Sequence, residues 1–355
     1  MAVRKVGSSR IVREIGRGGM GVVYEAFQDG LDRPVAVKAL DPKLLRSKEI
    51  VERFRREGRA YARLRHEAIV AVHDLVQKDE GLYLVTDLVD GTDLARLLAQ
   101  GGALPAECVA LVGARVAEAL DYVHFNRLRH RDVKPANVMI SREGEVKLMD
   151  FGIAKGEEDA SLTRQGMLVG SPSYMAPEVL AGDAGDDDDK AADVWALGVS
   201  LYELLTGEKP FRGRNTDDVF TAIQAGKFAR VRALAPRTPR RLARAVERCL
   251  SRRPQARLSA GALARALDGM AARLLPRGVH PRARLVALLT NRGFLTEEVA
   301  LAKVDASTLA ATRLADARGT ATAAAFPVRR RRRARALVAV ALAAAAGLAA
   351  FFAGP

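Results

Sequence analysis

HRDVKPANVMI, residues 130–140, sets an aspartate, a lysine and an asparagine at fixed offsets ahead of an apolar run. Pro135 keeps the middle of this stretch out of a helix. Asp132 and Asn137 therefore share one loop, where they can present a carboxylate and an amide oxygen to a single point. The carboxylate suits a proton acceptor or a positioner of a hydroxyl, and the amide oxygen suits a hard cation such as Mg2+. The pieces NVMI (137–140) and EVKLMD (145–150) read as two short strands. Asp150 ends the second and adds another carboxylate, followed after one residue by Gly152, whose backbone is permissive.

Upstream, EIGRGGMGVVYEA (14–26) holds Gly16, Gly18 and Gly21 in a G-x-G-x-x-G spacing between two strand-like pieces. Glycines so spaced also make ordinary turns, and a dinucleotide-binding fold would need a helix where this chain continues as a strand. A hairpin without side chains at its tip can instead lie over phosphates and offer them backbone N–H groups. VAVK (35–38) puts Lys38 on the same strand face as Ala36. An ammonium in a half-buried site needs a partner. The charged helix KEIVERFRREGRAYARL (48–64) supplies Glu57, with Glu52 as the rival on spacing. Two oxygen ligands, a glycine flap and a paired lysine are the parts needed to hold a nucleoside triphosphate with its metal.

The surrounding pattern divides in two. From Ile11 to about Leu84, segments such as RPVAVKAL (33–40) and LYLVTDL (82–88) read as strands around one helix. From about Thr92 to Asp268 the periodicity is helical, as in AECVALVGARVAEALDYVHF (106–125) and DVWALGVSLYELLTG (193–207). DAGDDDDK (183–190) reads as a solvated acidic loop. Residues 269–328 are rich in Ala and Arg, with a helical hairpin over 282–304 and then a Thr/Ala spacer.

The chain has 355 residues, 49% of them hydrophobic, enough for one large folded domain or two ordinary ones. Cys108 and Cys249 both lie in apolar helical stretches and read as small core residues in a reducing compartment. Six of the +15 net charges are the arginines between Arg329 and Arg335, and no basic patch interleaved with aromatics stands out, which excludes a nucleic-acid partner. MAVRKVGSSR at the N-terminus lacks the apolar core of a secretory signal. Residues 336–353, ALVAVALAAAAGLAAFFA, carry no charge and would reach ~27 Å as a helix. An Ala-rich buried helix is the alternative, and the abutting arginines favour a membrane span with a cytoplasmic flank. Ala339, Ala343 and Gly347 recur every fourth residue, a spacing that supports a helix-mediated homodimer but arises easily in any Ala-rich run.

GRGGMG, VAVK, HRDVKPAN, DFG and APE, in that order over about residues 10–268, resemble the eukaryotic-like bacterial Ser/Thr protein kinases, most closely the membrane-anchored subgroup. The resemblance implies an α+β, bilobal protein-kinase-like fold with a small β-rich N-lobe and a larger α-helical C-lobe, plus a C-terminal transmembrane helix. Its layout is an extension (1–10), a kinase domain (11–268, N-lobe to about 90), a partly helical juxtamembrane segment (269–328), the Arg run (329–335) and the span (336–353). The implied cofactors are ATP and Mg2+, and the implied partners are protein substrates with Ser/Thr acceptors at the cytoplasmic face of the cell membrane. Gly16, Gly18 and Gly21 would cover the phosphates, with Ile15, Val23 and Ala36 against the adenine and Met139 as its floor. The Asp87 carbonyl and Val89 N–H would bond the adenine edge, next to Thr86 as gatekeeper. Lys38, held by Glu57, would contact the α- and β-phosphates. Asp132 would accept the proton of the attacking hydroxyl, Lys134 would reach the transferred phosphate, and Asn137 and Asp150 would hold Mg2+.

The resemblance also implies structural and regulatory roles. Glu178 would pair with Arg257, and Asp193 would hold the catalytic loop. Residues 150–178 would be an activation segment. Thr163 is its leading autophosphorylation site, with Ser161 and Ser171 behind it, and Arg131 is the cation that such a phosphate would meet. Gln165 stands where relatives often carry a second phosphorylatable Thr, which speaks against two-site activation. A scaffold that has lost activity is disfavoured by the intact Lys38, Asp132, Asn137 and Asp150. A small-molecule kinase is disfavoured by the full activation segment with APE.

Overall fold

The computed structural model describes residues 5–79, 81–152, 172–182 and 185–303. Thr163, Ser161, Ser171, the Arg run and the expected span at 336–353 lie outside those residues. Among the described residues no helix is long and apolar enough to cross a membrane.

Six antiparallel strands form the first sheet: β1 (Lys5–Val6), β2 (Ser9–Gly18), β3 (Gly21–Gln28), β4 (Arg33–Leu40), β5 (Val72–Lys78) and β6 (Gly81–Asp87), in the order β1-β2-β3-β4-β6-β5. Alternation along β4 sorts its side chains by face. Val35 and Val37 join Val6, Ala26, Tyr83 and Val85 in a small cluster on one side. Ala36 and Lys38 therefore take the other side, together with Leu40 of the main core. The helix α1 (Lys48–Tyr61) starts at Ser47, whose hydroxyl accepts from Ile50 N and caps it. It buries Phe54, Gly58 and Tyr61, one stripe at helical spacing.

The second half is helical: α2 (Leu94–Gly101), α3 (Ala106–Phe125), α4 (Pro177–Ala181), α5 (Asp186–Thr206), α6 (Thr216–Ala225), α7 (Val231–Leu234), α8 (Arg240–Cys249) and α9 (Ala260–Leu274). A small sheet of β7 (Gly91–Asp93), β8 (Val138–Ser141) and β9 (Val146–Leu148) interrupts it. α3 is buried on nearly every side and forms the axis of this lobe, packed against α5 and α9. Cys108 and Cys249 are both fully buried and outside any disulfide, and burial pushes the Cys249 thiol up to about 12. A β-rich N-lobe and a helical C-lobe are thus what the motif order implied.

α9 runs to Leu274, past Asp268. Two more helices follow, α10 (Pro281–Asn291) and α11 (Glu297–Lys303), where the sequence suggests a hairpin over 282–304. Every residue from Ala283 to Leu289 is buried, and Leu285–Leu289 belong to the main hydrophobic core. The Ala/Arg composition of 269–328 conceals an element packed into the domain.

Candidate active site

The loop of residues 130–137 is held by one buried carboxylate. Asp193, near the start of α5, accepts from His130 N at 2.9 Å, from Arg131 N at 2.8 Å and from His124 Nε2 at 2.9 Å. Burial alone would raise this carboxyl, but the bond and charge of His124, with the backbone N–H of His130, hold it below the ordinary carboxylate value. The anchoring fixes Arg131 in the left-handed region at φ 60°, where a non-glycine residue is strained by about 1–3 kcal/mol. His130 is fully buried, and burial lowers its ring below the usual imidazole value. Its Nε2 lies 3.1 Å from the Met149 carbonyl and its Nδ1 accepts from Asp132 N at 3.3 Å, the pattern of a neutral imidazole protonated on Nε2.

On that loop the three polar side chains converge. Lys134 Nζ lies 2.8 Å from Asp132 Oδ2, and Asn137 Nδ2 donates to the same oxygen at 2.8 Å and to the Asp132 carbonyl at 2.7 Å. Committing Nδ2 in this way leaves Oδ1 as the remaining polar atom of Asn137. Two backbone bonds bring the second carboxylate alongside: Met149 N to the Asn137 carbonyl at 2.9 Å, and Gly152 N to the His130 carbonyl at 2.8 Å. Asp150 sits between them with φ 56°, and Lys38 Nζ reaches its Oδ1 at 2.8 Å. Phe151, the next residue, stacks on Tyr61 of α1 at 4.2 Å between ring centroids and meets His130 at 4.6 Å in a tilted contact, so aromatic contacts join both lobes.

A mostly apolar cleft opens beside Lys38 and Asp150. Ile15, Val23 and Ala36 line it from the sheet, Met139 from β8, Asp87 from the end of β6 and Val89 from the connection after it. The Asp87 carboxylate turns away, accepting Ala71 N at 3.1 Å and meeting His73 Nε2 at 2.7 Å, so only its backbone faces the cleft chemistry. Thr86 Oγ1 donates to the Asp87 carbonyl at 3.2 Å, which leaves that oxygen a second lone pair. The three glycines of the β2–β3 hairpin differ in what demands them. A Cβ on Gly21, at φ 138°, would lie 1.8 Å from the Ala39 carbonyl oxygen, so packing alone requires a glycine. A Cβ on Gly16 or Gly18 would meet no protein atom within 4 Å. Those two keep open a space that the protein does not fill, which fits phosphates laid against the hairpin. Asn137 Oδ1 with the Asp150 carboxylate is a hard-oxygen set that fits Mg2+.

One expected contact is corrected. Glu57 does not hold Lys38: its Oε1 accepts from Arg131 Nη1 at 3.0 Å, while Lys38 is taken by Asp150. The anchored Arg131 points a multi-donor guanidinium at α1, and the Lys38 ammonium finds the nearer charge on the other side of the cleft. Glu57 Oε2 is buried with no hydrogen-bond partner among the described residues. Burial raises the Glu57 carboxyl above its ordinary value, against the pull of Arg131, Arg53 and Arg56. Farther out, Glu178 Oε2 accepts from Arg257 Nη2 at 2.8 Å, and the guanidinium lies 4.9 Å over the Trp195 ring, the expected brace. His124 and the Tyr61–Phe151 stack escaped the sequence reading, although Tyr61 lies one helical turn after Glu57.

Comparison with known proteins agrees with this geometry. A family model described as protein kinase domain matches residues 9–266. The chain is 38% identical over 308 residues to the serine/threonine-protein kinase PkaA of Streptomyces coelicolor, covering 82% of this chain and 55% of that protein. It is 37% identical over 260 residues to PknH of Mycobacterium tuberculosis, covering 73% of this chain and 41% of the relative. The chain thus spans about half the length of the curated relatives it matches. Among solved structures, the PknI kinase domain of Mycobacterium tuberculosis superposes with a TM-score of 0.61 at 31% identity, covering 76% of this chain and all of that one. Rad53 in complex with AMP-PNP gives 0.62 at 25% identity, covering 72% and 64%.

Proposed function

The chain belongs to the protein kinase domain family, and from that premise we propose that it is an ATP-dependent Ser/Thr kinase acting on protein hydroxyl groups. The observation that carries this reading is the convergence of Lys38 and Asp150 at 2.8 Å beside the Asp132–Lys134–Asn137 cluster, joined through Met149 and Gly152. Ile15, Val23, Ala36 and Met139 enclose the adenine, whose edge bonds the Asp87 carbonyl and Val89 N–H. The glycine hairpin covers the phosphates, and Lys38 leaves Asp150 for the α- and β-phosphates. Asn137 and Asp150 would hold Mg2+, which would supply charge neutralisation at the phosphates. Asp132 orients the acceptor hydroxyl and takes its proton as the oxygen bonds the γ-phosphorus and the bond to the leaving ADP oxygen breaks. Lys134 steadies the phosphoryl oxygens in transit. Little covalent help is needed, because positioning and charge neutralisation supply most of the acceleration.

The described arrangement is the resting one. Phosphate on Thr163, with Ser161 and Ser171 as secondary acceptors, competes with Glu57 for Arg131 through charge-assisted bonds. Glu57 then becomes free to hold Lys38. The Arg run and residues 336–353 tether the domain to the cytoplasmic face of the membrane, where small residues at 339, 343 and 347 favour a homodimer.

Incubating the full chain with labelled ATP, Mg2+ and a Ser/Thr-containing acceptor, beside an Asp132→Asn control, tests the activity. Label on Ser or Thr in the wild type and none in the control is expected; equal labelling of both overturns the reading. Thr163→Ala should lower both activity and phosphate content, and unchanged values would reject the regulation. Release of the chain from membranes by high salt alone would reject the tether, and a monomer in membrane crosslinking would reject the dimer.

A further inference from the structure

Resting on the kinase reading, we propose that the α10–α11 hairpin, residues 281–303, braces the β8–β9 hairpin and so acts as a positioning element for Asn137 and Asp150. The matched family region ends at residue 266, fifteen positions before α10 begins. α10 is nevertheless locked in at three places. Arg284, fully buried, donates from Nε and Nη2 to Glu107 Oε1 in the first turn of α3, at 3.0 and 2.6 Å. Arg292 Nη2 donates to the Ala103 carbonyl beyond α2 at 2.8 Å. At the other end, Arg282 Nη1 lies 3.1 Å from Glu145 Oε1 in the turn between β8 and β9. The backbones also touch there: a Cβ on Gly144, at φ 76°, would come within 2.2 Å of the Arg282 carbonyl oxygen.

That turn has leverage. β8 begins at the residue after Asn137, β9 ends two residues before Asp150, and the two strands pair from Val138↔Leu148 to Ile140↔Val146. From Ser141 at the turn back to Asn137 the chain runs four residues, roughly 13 Å at strand rise, so a tilt of about 4° at the turn moves the far end by about 1 Å. Displacement on that scale can cost up to about a hundredfold in rate when it misplaces reacting groups. A cavity of about 220 Å3 lies at the junction. Arg115 there is met by Glu67, Glu118 and Asp268, and Arg282 by Glu145, so each of these charges is already engaged in an ion pair across the junction. α11 packs on α10 and buries Ala300. Whatever acts on the chain after Lys303 therefore has a route to both metal ligands.

The test uses the purified full chain and Arg282→Glu, which sets two carboxylates against each other across an exposed contact that contributes little to folding. The swap Arg282→Glu with Glu145→Arg restores the attraction, and Arg284→Met loosens the deeper anchor. The expected result is a fall of roughly tenfold in kcat for Arg282→Glu with KM for ATP and the melting temperature nearly unchanged, and recovery in the swap. Faster amide exchange over residues 138–148 in Arg282→Glu and Arg284→Met, measured also in an Asp132→Asn background, is expected independently of activity. Unchanged kcat and exchange in folded Arg282→Glu, no recovery in the swap, or a KM change that matches the loss would overturn the proposal. Absence of kinase activity in the wild type defeats the function assigned above, while the exchange arm still decides whether the brace exists.

Discussion

Glu57→Gln is the substitution on which structural cost and function should part company. Glu57 is contested: Arg131 holds Oε1 at 3.0 Å, Oε2 is buried without a partner among the described residues, and Lys38 is engaged elsewhere. An acceptor left unsatisfied in the interior costs about 1–3 kcal/mol. Glutamine keeps the shape and an oxygen for Arg131, removes the charge, and gives up about 1 kcal/mol of charge assistance in that bond. The amide nitrogen inherits the unpartnered place of Oε2, so that cost stays, while relief of the buried charge offsets the weaker Arg131 bond; stability should stay within about 1 kcal/mol, or about 2–4 °C in melting temperature for a domain of this size. Phosphoryl transfer should fall by about a hundredfold or more, because a neutral amide cannot hold the Lys38 ammonium as an ion pair. The pH dependence has a definite sign. Since the folded carboxyl is raised, the folded state takes up its proton first, and the cost of its charge is present in full above the folded pKa. That cost disappears as pH falls through the folded pKa towards the unfolded value. The stability of Glu57→Gln relative to wild type should therefore be highest at neutral pH and shrink on acidification. Thermal melts from pH 7 downward, paired with initial rates on a Ser/Thr acceptor, measure both. A loss beyond about 2 kcal/mol at neutral pH, or transfer at the wild-type rate, would show that the Glu57–Arg131 pair is simply a stabilising bond.

Asp193→Ala strips three donors of their acceptor and should cost about 3–9 kcal/mol at about 1–3 per orphaned group, measured by urea unfolding. The stability supplied by Asp193 is present above the unfolded carboxyl pKa and lost as pH falls through its lowered folded value, so the variant should show a weaker acid dependence. Arg257→Met leaves Glu178 charged beside an apolar replacement and should lose about 3–5 kcal/mol, visible in the melting temperature. Gly16→Ala should fold normally yet weaken nucleotide binding, since only the ligand space is filled, whereas Gly21→Ala should lower the melting temperature as well. Calorimetric titration with an ATP analogue alongside thermal melts separates the two glycines.

The parts of the site that were legible in the sequence are those where chemistry dictates the residue type. A carboxylate, an amide oxygen and a second carboxylate at Asp132, Asn137 and Asp150 have few substitutes in metal-assisted transfer, and Pro135 fixes their loop locally. Partner choice among charges is another matter. Glu57 lies on a helix within reach of Lys38, Arg131, Arg53 and Arg56, and the outcome depends on how that helix is set against the loop that Asp193 anchors. Spacing along the chain carries no record of that, so it offers both Glu57 and Glu52 to Lys38, which is found on Asp150. The same limit hid Arg284. In PRARLVALLTN nothing in the spacing sets Arg284 apart, because composition cannot reveal a carboxylate 177 positions upstream. Once Glu107 meets it, that arginine becomes the most buried charge in the element, and the helix is fixed as part of the domain. A loop whose polar groups are local in sequence is thus held by pairs that are not, and those distant pairs are where this chain can differ from its relatives without losing a motif.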